Sequence, residues 1–426
     1  MTKSIISTIL LFIGLNSFAQ DDIKIMQYNL LNYGNITSYC TVTNNNMADK
    51  EVYLREIINY VQPDIFTVNE IAANTYVTGR LLDSVMNYQS NTYGKSDYVK
   101  TNGSDLVNML YYNKSKFTYI GSESLQNEVR DIALYKLYYN SPNLAQTNDT
   151  VFLNCIVAHL KAGNTSSSRT KRASMINTAM SYLVQHNYHG NYLFMGDFNL
   201  YKSSEPAYQS LINYSNSTYK FNDPINTSGN WNNNSSFAAI HTQSTHTNSN
   251  GCASGGGLDD RFDFILISND IKNANNHIHY KNNSYTVIGN DGNHFNKSIT
   301  NGTNNSVPAN ILNTLYNMSD HLPITLELHL DDLVSSIDNF DGKKFKVYYQ
   351  NPINDNVDLY FETDFSDHFT IELWSINGTK LIQKEVEVKD NTHIKLLTNS
   401  LSSGMYIMRI LDFKGISRYN SKLIKY

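Results

Sequence analysis

The hexapeptide Phe194-Met195-Gly196-Asp197-Phe198-Asn199 closes an apolar run with an acid and an amide two positions apart. In a β-strand that spacing sends both side chains to one face. Similar groups recur beside other apolar runs: Asn29 after Ile23–Tyr28, Glu70 after Ile65–Val68, His159 after Val151–Ala158, Asp263 ahead of Phe264–Ile267, and Asp320-His321 ahead of Leu322–Leu328. Hard oxygen donors without thiolates favour Mg²⁺, Mn²⁺ or Ca²⁺ over zinc. Two histidines among carboxylates can stabilise or protonate a phosphoryl oxygen. Metal, acid and imidazole together are the equipment of phosphate-ester hydrolysis. Each group also has a plainer reading. The hexapeptide alone could be a turn ending an ordinary strand, Asn29 a turn residue, Glu70 a surface acid and His159 a satisfied core histidine.

The positioning elements follow from periodicity. Asp22–Leu30 alternates as a strand with Asn29 at its end, and Met47–Val61 is a helix whose Leu54, Ile57, Ile58 and Val61 share a stripe. Pro63 stops that helix, because the residue before a proline avoids helical geometry, and Ile65–Glu70 is a second strand. Helical spacing returns at Leu81, Leu82, Val85 and Met86. Strands at Leu106–Tyr112, Ile132–Tyr139 and Val151–Leu160, with no helix signal between them, predict one antiparallel meander. Ser168 is expected to cap a helix with Ala173, Ile176, Ala179, Met180, Leu183 and Val184 inward. Arg169, Lys171 and Arg172 on it read either as phosphate contacts or as a solvated face. His241, His246 and His294 lie in polar loops that could shape substrate binding.

Composition sets the compartment. Lys3, the apolar run Ile5–Leu15 and the small-x-small Ser17-Phe18-Ala19 read as a signal peptide over residues 1–19. The run is about half the ~20 residues a membrane span needs. Residues 20–332 carry 20 Lys+Arg against 26 Asp+Glu, so any polyanion must be met by a local patch or a metal. Cys155 sits in an apolar run and reads as a core thiol, whereas Cys40 and Cys252 lie in polar loops and are expected to pair after export. From Leu333 the pattern becomes a linker (333–342), then short alternating strands with turn residues at Asn377-Gly378 and Ser403-Gly404, a separate all-β domain over 343–426.

Six motifs occur in the order of the endonuclease/exonuclease/phosphatase superfamily, which includes deoxyribonuclease I-like nucleases. They are Tyr28-Asn29-Leu30, Pro63-Asp64-Ile65 with Asn69-Glu70, Ala158-His159-Leu160-Lys161, Gly196-Asp197-Phe198-Asn199, Arg261-Phe262-Asp263-Phe264 and Ser319-Asp320-His321-Leu322-Pro323. Over Ile23–Leu330 the chain resembles that superfamily. Asn69 departs from the glutamine that many members carry before the glutamate. The resemblance implies a four-layer α/β/β/α sandwich of two mostly antiparallel sheets. It implies Asn29, Glu70 and Asp320 as metal ligands, and Asp197, helped by Asn199, as the group that orients or deprotonates water. His321 paired with Asp263 would sit against the scissile phosphate, with His159 stabilising developing charge or assisting the leaving group. Arg130 and Lys161 are candidate substrate contacts. The C-terminal stretch resembles the type IX secretion sorting domain through Val347–Pro352, Leu373–Lys380, Leu401–Ile407 and Lys422–Lys425, with Gln350 in place of the usual first proline. A carbohydrate-binding β-sandwich is the alternative.

Together these imply an exported, monomeric, Mg²⁺-dependent phosphodiesterase without a membrane span. Its partners would be a DNA or RNA substrate, cut as an endonuclease, and the secretion machinery. A sphingomyelinase-like or other lipid or small-molecule phosphoesterase is the second reading, and a non-catalytic binding module the third.

Overall fold

The computed structural model of the protein describes residues 21–99, 104–141, 151–330, 345–349 and 353–425. The expected signal peptide (1–19) and linker (333–342) lie outside the described residues. Two sheets form the larger part. The first runs, in spatial order, β11 (Ile278–Tyr280), β13 (Ile324–Leu330), β1 (Asp21–Tyr33), β2 (Ile65–Ala72), β4 (Leu106–Asn113) and β3 (Tyr93–Lys95), with β12 (Thr286–Val287) also paired to β13. The second runs β5 (Phe117–Gln126), β6 (Ile132–Tyr139), β7 (Phe152–His159), β8 (Tyr192–Asp197), β10 (Asp263–Ser268) and β9 (Phe221–Asn222).

The sheets are antiparallel except for one pair in each, β1 with β2 and β7 with β8. Parallel neighbours need a crossover, and each pair has a helix. Between β1 and β2 runs α1 (Met47–Val61), capped by Asn46, whose side chain accepts from Ala48 N and Asp49 N; it ends where Gln62 turns left-handed ahead of Pro63. A short helix, α2 (Thr75–Leu81), follows β2 and widens into a π turn over Leu82–Met86. Between β7 and β8 runs α3 (Ser166–Gln185). Its cap is Thr165, whose side chain accepts from Ser168 N, so the expected Ser168 cap lies one turn too late.

One core holds the facing sides of both sheets, for example Ile65 and Leu110 with Val157 and Met195, and continues through the first sheet, by Val68 and Met109 on its outer face, to Leu54 and Ile57 of α1 and to Leu312 and Leu315 of the helix Ala309–Met318. A second core packs the outer face of the second sheet, Ile156, Phe194 and Phe264, against Met175, Ile176 and Leu183 of α3 and Leu211 of α4 (Pro206–Ile212). Apolar cover on both faces explains why these strands read as continuous apolar runs. The result is the expected four-layer sandwich.

The expected single meander is corrected. The strand at Leu106 belongs to the first sheet, and the chain crosses to the second through β5, which the sequence reading left out. Only β5, β6 and β7 form the meander. The described residues from Phe345 to Lys425 form an all-β unit of a three-stranded and a four-stranded sheet, with a core that includes Leu359, Phe361, Ile371, Leu373, Met408 and Ile410. Cys40 and Cys252 form a disulfide, and Cys155 is a buried free thiol. Among the described residues no helix is long and apolar enough to cross a membrane.

Candidate active site

Both parallel pairs present their carboxyl ends at the same end of the sandwich. Asn29 stands opposite Asn69 in the first sheet, His159 opposite Asp197 in the second, and Asp263 opposite Asp197 on its other side. Asn29 and Glu70 do not end their strands as expected. They lie at an irregularity that both strands share, where pairing breaks between Asn29 and Tyr33 and resumes at Ile71. Leu31, Asn32 and Glu70 there have φ of 48°, 51° and 60°. Such bulges re-aim side chains at a sheet end. Buried Lys50 secures this one from α1, donating from Nζ to Leu30 O (2.7 Å) and Leu31 O (2.6 Å).

The bulge holds the glutamate. Glu70 Oε2 accepts from Asn32 N (3.0 Å) and Nδ2 (3.3 Å), and Oε1 from Asn29 Nδ2 (3.2 Å). The same Asn29 nitrogen donates to Asp197 Oδ2 (3.0 Å), so one amide bridges two carboxylates from opposite sheets. Asp197 Oδ1 accepts from Asn199 N (3.0 Å) and Nδ2 (2.8 Å). Its backbone N–H donates to Asn69 Oδ1 at 2.8 Å. Asn69 therefore acts behind the site, carrying Asp197 on its oxygen while its amide nitrogen donates to Asn108 Oδ1 (2.7 Å) and Ala158 O (3.2 Å). Gly196, at φ 137°, is required here, because a Cβ would fall 1.8 Å from Ala158 O.

Around this pair stand the imidazoles. His159 Nε2 lies 3.4 Å from Asp197 Oδ2 and 3.8 Å from Glu70 Oε1. His321 Nδ1 is 2.7 Å from Asp263 Oδ2, and its Nε2 faces Asp197 Oδ2 at 3.8 Å. Burial, with the charges of Arg130 and His321, holds His159 well below the usual histidine range, so its ring is neutral. Burial also opposes charge on His321, but the Asp263, Asp197 and Asp320 carboxylates outweigh it and hold the ring well above that range. Gln243 Nε2, which donates to Asp320 Oδ2 (3.1 Å), sits 2.9 Å from His321 Nε2 and can donate only to the neutral ring. The three carboxylates acting on the ring favour its charged form, in which Nε2 keeps its proton and the Gln243 amide donates to Asp320 alone. Burial raises Asp197 to about 7; His321 opposes that rise and Asp263 and Glu70 add to it.

Glu70, His159 and Asp197 bring ligand atoms within 4.8 Å of one another, the one such group among the described residues. Asp320 is outside that group. Its Oδ2 accepts from Gln243 and from Ser254 N (2.9 Å), while its buried Oδ1 has no hydrogen-bond partner, as is also true of Asp263 Oδ1. Carboxylates this numerous, with orphaned oxygens and one amide between two of them, fit a divalent cation. Arg130 Nη1 reaches Leu160 O (3.0 Å) next to His159, and Lys161 is exposed beyond it. Arg172 fits neither earlier reading, being fully buried against Glu205, while Lys171 pairs with Glu128. His241, His246 and His294 are held by Trp231 O, Thr245 Oγ1 and Asp291 and do not join the cluster. Lys50, Asn32 and Gln243 had no sequence signal, since each lies in a helix or loop pattern that explains it otherwise.

Fold and site define a two-sheet α/β sandwich with an acidic, histidine-bearing centre at one end. Residues 347–426 match the family model of the secretion system C-terminal sorting domain. No curated protein matches the chain in sequence. Similar solved structures include an endonuclease/exonuclease/phosphatase family protein from Bacteroides thetaiotaomicron, with 16% identity over 74% of this chain and 100% of that one at a TM-score of 0.44. A second, from Bacteroides vulgatus, has 15% identity over 73% and 100% at 0.45. A third is D. rerio TDP2 complexed with single strand DNA product, with 13% identity over 72% and 99% at 0.45.

Proposed function

We propose that the chain is an exported, divalent-metal-dependent phosphodiesterase, and that its substrate is DNA or RNA cut internally. One observation carries this reading: Asp197 Oδ2 faces both His159 Nε2 (3.4 Å) and His321 Nε2 (3.8 Å) beside Glu70, so acid, base and cation-binding groups share one small volume. Glu70, beside Asp197, would hold Mg²⁺, Mn²⁺ or Ca²⁺, which supplies charge against a phosphoryl oxygen when bound. Asp197 Oδ2, its partner oxygen fixed by Asn199, orients the attacking water and takes its proton. His321, held by Asp263 at Nδ1, donates from Nε2 to a phosphoryl oxygen. Neutral His159 donates to the oxygen that gathers charge on the far side.

Export is supported by the sorting-domain match and by the Cys40–Cys252 disulfide, which belongs to an oxidising compartment. A second substrate, a phosphoester on a lipid, is favoured by one feature. Ile36, Tyr39 and Val42 are each more than half exposed on a loop without a charged residue, anchored beside Glu70 by Asn45 Nδ2 donating to Asn32 O (3.0 Å). Incubating purified protein and Mg²⁺ with plasmid DNA, RNA and sphingomyelin in parallel, with and without EDTA, tests both. EDTA-sensitive nicking of DNA or RNA supports the first reading, and release of phosphocholine alone replaces it with the second.

A further inference from the structure

A buried ion pair outside the roles above ties the loop after His159 to the loop after Asn199. Arg172 of α3 and Glu205, just ahead of α4, are both fully buried. Arg172 gives Nε and Nη2 to Glu205 Oε2 at 3.0 and 2.6 Å. Its Nη1 donates to the carbonyl oxygens of Lys161 and Gly163, each at 2.8 Å. Glu205 Oε1 accepts the N–H of Tyr201 at 2.9 Å. Arg172 therefore grips the chain two residues past His159, and Glu205 grips it two residues past Asn199. Leu160 closes the circuit, donating its N–H to Asp197 O (2.9 Å) and accepting from Asn199 Nδ2 (3.4 Å).

A buried ion pair is a poor device for stability alone, because the cost of desolvating both charges offsets their attraction; apolar residues of similar volume often serve as well or better. What apolar residues cannot do is fix two carbonyls and an amide from separate loops. Within the phosphodiesterase reading, on which this rests, we propose that Arg172, braced by Glu205, is a positioning residue that sets His159 against Asp197 and aims the Lys161 turn. Its guanidinium is suited to this because its donors diverge in a rigid fork, which a lysine ammonium lacks.

The double variant Arg172→Met/Glu205→Leu removes both charges together and is expected to fold but melt below wild type, because the Lys161 and Gly163 carbonyls and the Tyr201 amide lose their partners. Its kcat on the wild-type substrate should fall on the order of 10- to 100-fold, the scale of a small misplacement of reacting groups, with KM little changed. Amides over residues 160–164 should exchange with deuterium faster than in wild type, while amides of β6 and β8 keep their rates. Arg172→Lys should melt near wild type without recovering kcat or the protection of residues 160–164. Wild-type exchange over 160–164 in both variants overturns the proposal, as does a loss of kcat that tracks loosening of the whole sheet. If the double variant does not fold, the exchange pattern of Arg172→Lys decides. If wild type cleaves no phosphodiester, the catalytic reading fails, and the exchange measurement still tests the clamp.

Discussion

Removing the Cys40–Cys252 disulfide should weaken the protein globally and the site locally. The bridge joins residues 212 apart. On the chain-entropy model, opening a loop of that length costs up to about 5 kcal/mol of stability. With a guanidinium slope of about 5 kcal/mol per molar for a domain of this size, the unfolding midpoint should fall by about 1 M. The local effect follows from the bridge's neighbours. Asn250 O accepts from Asn44 Nδ2 (3.0 Å), and Ser254 N donates to Asp320 Oδ2 (2.9 Å), so the loop carrying Cys252 also holds Asp320. On the other side, Asn45 is tied to Asn32, which holds Glu70. Guanidinium unfolding of wild type and the Cys40→Ser/Cys252→Ser variant gives the midpoints, and thiol alkylation of denatured protein gives the pairing. One reactive thiol before reduction, that of Cys155, and three after it are expected. Coincident midpoints, or three reactive thiols without reductant, would refute the reasoning.

His159→Ala should lower kcat on the order of 10²–10³-fold, the usual effect of deleting one charge-stabilising donor, read from initial rates at saturating substrate. Asp263→Asn should lower kcat by a similar factor, because the His321 ring loses the carboxylate that keeps it charged while it donates from Nε2; nitrogen NMR shifts of the ring report the loss of its second proton. Burial brings Lys50 from 10.5 down to about 7, with Asp320 and Glu70 opposing the fall. Between pH 7 and 10.5 the unfolded chain then binds a proton there that the folded protein does not. Stability should rise with pH across that window in wild type relative to Lys50→Met, measured by urea unfolding at fixed metal concentration.

How far the site could be read from sequence depended on what each residue's neighbours signalled. Apolar runs located β1, β2, β7, β8 and β10, and with them Asn29, Glu70, His159, Asp197 and Asp263, because strands covered on both faces are written as continuous apolar stretches. Strand β5 was missed because Phe117–Gln126 is half-buried and interrupted by Gly121, Ser122 and Ser124. Without it the crossing between sheets could not be seen, so Leu106 was joined to the wrong meander. The bulge at Leu31 and Asn32 has no periodic signature, and Lys50 looked like an ordinary polar position on an amphipathic helix. Gln243 lies in an Asn/Ser/Thr-rich stretch whose path is set by contacts with Asp260, His321 and Asp320 far away in sequence. Arg172 was read as a surface or phosphate-facing cation because its burial depends on Glu205, 33 residues on.

The most direct test of the proposed chemistry is hydrolysis of a simple phosphodiester, bis-p-nitrophenyl phosphate, by wild type and Glu70→Gln during a Mg²⁺ titration. Wild-type turnover should saturate with Mg²⁺, vanish with EDTA and return when Mg²⁺ is restored, while Glu70→Gln loses on the order of 10²-fold or more at every metal concentration. Turnover that survives EDTA, or a Glu70→Gln rate equal to wild type, would contradict a cation-dependent phosphodiesterase centred on Glu70 and Asp197.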